Sequence, residues 1–173
     1  MRPLVPAALL SALLCVGGCG YHTLGAATHL PPDVKTLSVP MFVNRTEENG
    51  TQAVLTEAVI REFAARSHFR VTARETPAAD AVLHGTIWQE AVRPLTYNTE
   101  TQQSSSFVVT VVVAVTLNDR DGKVLYRNDH YVFRQQYQST TDLPTFLEED
   151  PAAVARLSRD LARQLVADVL EGF

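Results

Sequence analysis

The residues best suited to chemistry stand near the start, at Val16-Gly17-Gly18-Cys19. An aliphatic residue, two small residues and a cysteine let a peptidase approach the backbone just before Cys19. The thiol of Cys19, once free, takes a diacylglycerol. The other cysteine, Cys15, follows bulky Leu14, and cutting there would truncate the apolar stretch. That stretch, Leu4 to Val16, is interrupted only by Ser11 and follows the positive Met1-Arg2. At about 13 residues it has the length of a signal h-region. A bilayer-spanning helix needs roughly 20. Residues 1–18 are therefore expected to be a removed leader, residues 19–33 an acylated tether, and residues 34–173 one globular domain. Gly20, where an aspartate would favour retention at the inner membrane, points to the outer membrane. Each buried acyl CH₂ contributes about 0.8 kcal/mol, so two or three chains anchor firmly.

Other chemistry is sparse. His22, His29, His68, His84 and His130 are scattered, with no i,i+4 pair beside a carboxylate of the kind that holds zinc. No cysteine follows Cys19, so neither a disulfide framework nor a cysteine metal site is expected. No G-x-S-x-G, phosphate-loop or dinucleotide glycine pattern occurs, which points to a protein without cofactor or enzymatic activity. Gly85 lies inside a strand pattern, where glycine more often permits close packing than binds phosphate. Glu148-Glu149-Asp150 reads as helix-start electrostatics.

The 173 residues are enough for one domain with a real core, and 46% hydrophobic with 20% charged residues is a globular composition. The net charge is -4, and the leader carries only Arg2. A slightly acidic body argues against nucleic acid as a partner, because phosphate binding needs a basic face.

The elements that must position any site follow from periodicity. Lys35 to Asn44 alternates as a strand; Pro40 removes a ladder donor, so this strand is expected at an edge or with a bulge. Thr51 to Ser67 reads as a helix, with Val54, Leu55, Ala58, Val59 and Phe63 on one face. Phe69 to Ala73 is a short strand and Ala81 to Val92 a longer one. Arg93 to Ser106 reads as a long polar loop. Phe107 to Leu117 is apolar on both faces, as for a strand covered on both sides or packed on a partner. Asp121-Gly122 supplies a hairpin turn, and Val124 to Tyr137 returns beside it. Thr140 to Asp150 reads as a loop. Asp150-Pro151 is expected to cap a final helix ending at Glu171, with an apolar stripe through Val154, Leu157, Leu161, Leu165 and Val169. The expected fold is α+β: a two-layer sandwich of a mixed or antiparallel sheet of about four strands, with two amphipathic helices on one face.

Several segments in this order resemble the lipopolysaccharide-assembly lipoprotein family (LptE). They are Cys19-Gly20-Tyr21-His22-Thr23-Leu24, then Leu37-Ser38-Val39-Pro40-Met41-Phe42-Val43-Asn44-Arg45-Thr46 followed by Leu55-Thr56-Glu57-Ala58, and Ala79-Asp80-Ala81-Val82-Leu83-His84-Gly85-Thr86-Ile87. The final amphipathic helix also fits. The resemblance implies a non-enzymatic protein on the periplasmic side of the outer membrane, seated in the lumen of a large translocon β-barrel. Its partners would be that barrel, lipopolysaccharide, and the membrane through acyl chains. Exposed cations could meet lipopolysaccharide phosphates and carboxylates; Arg93, Arg120 and Lys123 are the candidates. The neutral Thr99-to-Ser106 segment is a candidate contact with the barrel wall. A second reading comes from lipoproteins that build a secretion pore or activate a peptidoglycan synthase, which also open with a Val-x-Pro-Phe-x-Asn strand.

Overall fold

A proline divides the first strand in two. The computed structural model describes residues 30–98, 103–138 and 143–172. In it β1 (Thr36–Ser38) and β2 (Val43–Asn44) run parallel to the same strand, β4 (Ala81–Asn98). Ser38 pairs with Val82 and Val43 with Thr86, so five residues of one strand span four of the other. The extra residue is a bulge centred on Val39-Pro40-Met41-Phe42, and the proline sits where no ladder bond is required. The alternative expectation, a sheet edge, holds only for the half after Pro40, since β2 pairs with β4 alone. β1 lies between β3 (Arg70–Thr72) and β4, and it is the bulge that accommodates Pro40.

The bulge also aims Phe42 inward. Its ring is fully buried, and its N–H donates to the Thr56 hydroxyl at 3.0 Å. That hydroxyl donates in turn to the Gln52 carbonyl at 2.6 Å. Asn44 closes the following loop: its carboxamide oxygen accepts from the N–H and hydroxyl of Thr46, and its amide donates to the Glu48 carbonyl and to Gln52. Gly50, at φ 101°, then turns the chain into helix α1 (Thr51–Arg66). Leu55, Ala58, Val59 and Phe63 fall on its buried stripe. Each fully buried large apolar side chain contributes about 1.5–3 kcal/mol.

The sheet is mixed and has six strands rather than about four, in the order β3-β1-β4-β5-β6 with β2 also on β4. The split of the first expected strand into β1 and β2 adds one strand, and the short expected strand at Phe69 to Ala73 takes its place in the sheet as β3. The three long strands β4, β5 (Gln103–Asp119) and β6 (Val124–Gln138) form an antiparallel meander. The hairpin between β5 and β6 turns on Gly122 at φ 84°, with the Asp119 carboxylate accepting from the N–H groups of Asp121 and Lys123.

The expected loop from Arg93 to Ser106 is mostly strand. β4 continues to Asn98 and β5 begins at Gln103, with Arg93 opposite Val108, Pro94 opposite Phe107 and Thr96 opposite Ser106. Antiparallel pairing depends on backbone groups, and polar Thr and Ser side chains are compatible with it. Residues 99–102 lie outside the described residues.

Helix α2 runs over Leu143–Glu171 and so begins before Asp150-Pro151, where the cap was expected. Pro151 lies inside the helix, and Glu148-Glu149-Asp150 belong to it as well. The backbone N of Pro151 gives up one helical hydrogen bond. Helix α2 ends as expected: Gly172, at φ 73°, donates its N–H to the Asp168 carbonyl. The buried stripe is broader than expected, with Ala153, Ala162 and Val166 joining Leu157, Leu161 and Leu165.

Both helices pack on one face of the sheet and share a single apolar core. The sheet contributes Leu37, Leu83, Ile87, Val109, Val111, Val113, Val115 and Leu117 to it. The result is the expected α+β two-layer sandwich. Val112, on the opposite face of β5, is outside this core.

Candidate functional site

The cations singled out from sequence occupy the two ends of the meander. Arg120 and Lys123 share the β5–β6 turn. Ala81 pairs with Asp119 next to that turn, and Arg93 lies twelve residues farther along β4. At about 3.3 Å per residue this separates Arg93 from the turn by about 40 Å. The fold therefore brings Arg120 and Lys123 together and leaves Arg93 apart. Cys19 lies outside the described residues.

Arg120 is engaged within the chain. Its guanidinium donates to Asp80 at 2.7 Å. The other carboxylate oxygen of Asp80 accepts from the Thr36 hydroxyl at 2.7 Å and from the N–H groups of Thr36 and Lys35 at 2.9 and 3.0 Å. The Thr36 hydroxyl bond, the two backbone bonds and then Arg120 hold the Asp80 carboxyl below its ordinary range. Asp80 thus ties the entry of β1 to the entry of β4 and positions the hairpin above both. An open groove of about 310 Å³ lies beside this knot, lined by Glu75, Pro77, Val82, His84, Asn118 and Arg120.

The opposite face of the sheet can be read from its register. Directly opposed residues share a face, which gives the rows His84–Thr116–Arg127, Gln89–Val112–Val132, Ala91–Thr110–Arg134 and Arg93–Val108–Gln136. Arg93 therefore belongs to a wider set that includes Arg127 and Arg134. Arg127 and Arg134 are seven residues apart on β6, and simple alternation would put them on opposite faces; the bulge between Asn128 and Tyr131 brings them to the same one. Among the described residues no three His, Cys, Asp or Glu side chains converge as a metal site. No helix among them is long and apolar enough to cross a membrane.

The family model for lipopolysaccharide-assembly proteins, LptE, matches residues 34–169. This chain belongs to the LptE family. Its role is in lipopolysaccharide assembly, and the family is one of non-enzymatic envelope lipoproteins associated with the lipopolysaccharide transport machinery. No curated protein matches the sequence. Among solved structures, lipoprotein B from Nitrosomonas europaea superposes with a TM-score of 0.58 at 12% identity, covering 90% of this chain and 92% of that one. A lipoprotein from Caulobacter crescentus gives 0.54 at 15% identity, over 77% of this chain and 88% of that one. A minor lipoprotein from Acinetobacter baumannii gives 0.50 at 12% identity, over 80% and 94%. At these identities the likeness establishes the fold alone.

The segments that resemble LptE have a physical reading within this chain. Pro40 and Phe42 make and fill the bulge, Asn44 closes the loop into α1, and Asp80 locks the two strand entries.

Proposed function

We propose that this LptE protein is exported with residues 1–18 as a leader, cut before Cys19, and acylated there. Residues 19–33 would tether the body, residues 34–173, to the periplasmic leaflet of the outer membrane. There it assembles with the large β-barrel of the lipopolysaccharide translocon and occupies its lumen, acting without catalysis or cofactor. A compact body with charged and polar residues on much of its surface suits a water-filled barrel interior. Arg93, Arg120 and Lys123 are the proposed contacts for lipopolysaccharide phosphates, through charge-assisted hydrogen bonds. The observation that carries this reading is the family match over residues 34–169 in a chain that opens with Val16-Gly17-Gly18-Cys19.

The test is affinity purification of the tagged chain from gently solubilised membranes. Copurification with a large outer-membrane barrel supports the proposal, and recovery as a free monomer refutes it. Depletion should lower surface lipopolysaccharide. Normal surface lipopolysaccharide with altered peptidoglycan synthesis or secretion would favour an accessory of a synthase or a pore instead.

A further inference from the structure

The face of the sheet turned away from the helices carries an apolar band between cations. Trp88 follows inward-facing Ile87 and so lies on this face, and the β4 bulge between the Ile87–Val113 and Gln89–Val112 pairs brings Gln89, Ala91 and Arg93 onto it as well. It is 58% exposed, and Met41 and Val43, along the neighbouring strand, are 60% and 47% exposed. Val43 pairs with Thr86 on this face. Buried Val112 and half-buried Val132 lie beneath the band in the same row on β5 and β6. Arg127 flanks it on one side, and Arg134 and Arg93 flank it on the other. Asp129, in the β6 bulge beside these rows, is paired with Arg127 at 2.8 Å. Among the described residues Arg93 and Arg134 have no ion-pair partner. The chain as a whole has a net charge of -4, so this basic and apolar face is set apart from the rest.

We propose that this face docks on an anionic bilayer surface. A tryptophan with neighbouring aliphatic side chains enters the headgroup boundary, and flanking arginines meet lipid phosphates while their stems lie along the apolar band. Charge selects the occupant: a second copy of this face would oppose arginine to arginine, whereas anionic headgroups neutralise Arg93 and Arg134, which lack the acidic partner that Arg127 has in Asp129. The lipid-acceptor motif at Cys19 would hold the body within reach of that surface. Docking would apply while the chain lies at the membrane outside any barrel, and the inference stands independently of the translocon reading.

Trp88 is the only tryptophan, so its fluorescence reports on this face alone. The experiment uses the purified full chain reconstituted into brominated phosphatidylcholine vesicles with and without phosphatidylglycerol. With phosphatidylglycerol, Trp88 emission should shift to the blue and be quenched, and added salt should reverse both effects. Arg93→Gln and Arg134→Gln should each weaken the response roughly five-fold. Met41→Ser, at an exposed position that leaves the fold intact, should also reduce quenching. The proposal is overturned if Trp88 emission is the same in both vesicle types, or if the arginine variants quench as the parent does. It is also overturned if a blue shift appears without lipid and grows with protein concentration, because a second copy would then cover the face. Copurification with a barrel tests the translocon reading and does not bear on this readout.

Discussion

The ring of Phe42 rests on the backbone of Gly85, so close that a β-carbon there would fall 2.3 Å from two ring carbons. The contact holds the β1–β2 bulge against the middle of β4. Phe42 is only 2% exposed, so the ring has little room to retreat. Gly85→Ala should destabilise by about 1–3 kcal/mol through overpacking. Phe42→Ala should cost about 3–5 kcal/mol. Because the two residues share one space, the double variant should lose less than the sum of the single losses. Urea unfolding monitored by circular dichroism measures all three. Additive losses would contradict the contact.

Asp80 provides a pH-dependent lock. Its carboxyl is held below the ordinary range chiefly by the Thr36 hydroxyl and then by the Lys35 and Thr36 N–H groups. A depressed native pKa means the stabilisation is present above the unfolded value, near 3.9, and is lost as pH falls through the folded value. Asp80→Asn should therefore lower the urea midpoint at neutral pH and flatten the decline in stability below about pH 4. Arg120→Gln should have a smaller effect, because Arg120 is the weakest of the favourable contacts. An equal acid limb in parent and Asp80→Asn would refute this.

The Tyr131 hydroxyl donates to Asp168 at 2.7 Å and is hydrogen-bonded to Tyr126, joining β6 to the end of α2. Burial first, then these two partners, pushes the Tyr131 phenol well above its ordinary value. A raised native pKa gives stability that is complete below the unfolded value, near 10, and declines as pH rises beyond it. Tyr131→Phe should cost about 1–2 kcal/mol at neutral pH, since Asp168 loses its donor. It should also make stability less sensitive to pH above about 10. Denaturation midpoints across that range provide the check.

Arg93 and Lys123 lie at opposite ends of the meander, and their proposed contributions to lipopolysaccharide binding should be independent. Lys123→Ala and Arg93→Ala should each reduce binding a few-fold, and the double variant should show roughly the product of the single reductions. Arg120→Ala should reduce binding and stability together, because its guanidinium also holds Asp80. Titration with purified lipopolysaccharide alongside thermal melts separates these effects. Unchanged binding in all three variants would remove these residues from the proposed contact.

Much of the fold was legible locally. The apolar stripe of α1, the Asp121-Gly122 turn, the Gly172 stop and the alternation of β4 and β5 each depend on neighbours within a few residues, and the structure places them as expected. The misread segments depend on distant partners. Polar residues 93–98 and 103–106 look like a loop in isolation and become strand because each backbone finds its antiparallel mate. Pro151 looks like a helix start and lies within α2 instead.

The site divides in the same way. By itself the sequence determined the lipidation pattern expected at Cys19, the periodicities of the main elements and the cations available to meet anionic groups, because these properties reside in single residues or short spacings. Only the tertiary structure decided which of those cations share a surface. Register, shifted by bulges at Trp88 and near Asp129, sets Arg93, Arg127 and Arg134 on one face, and the β5–β6 turn brings Arg120 to Asp80. The physical reason is that a side chain in a sheet belongs to a face, and one extra residue in a distant strand can change which face it joins.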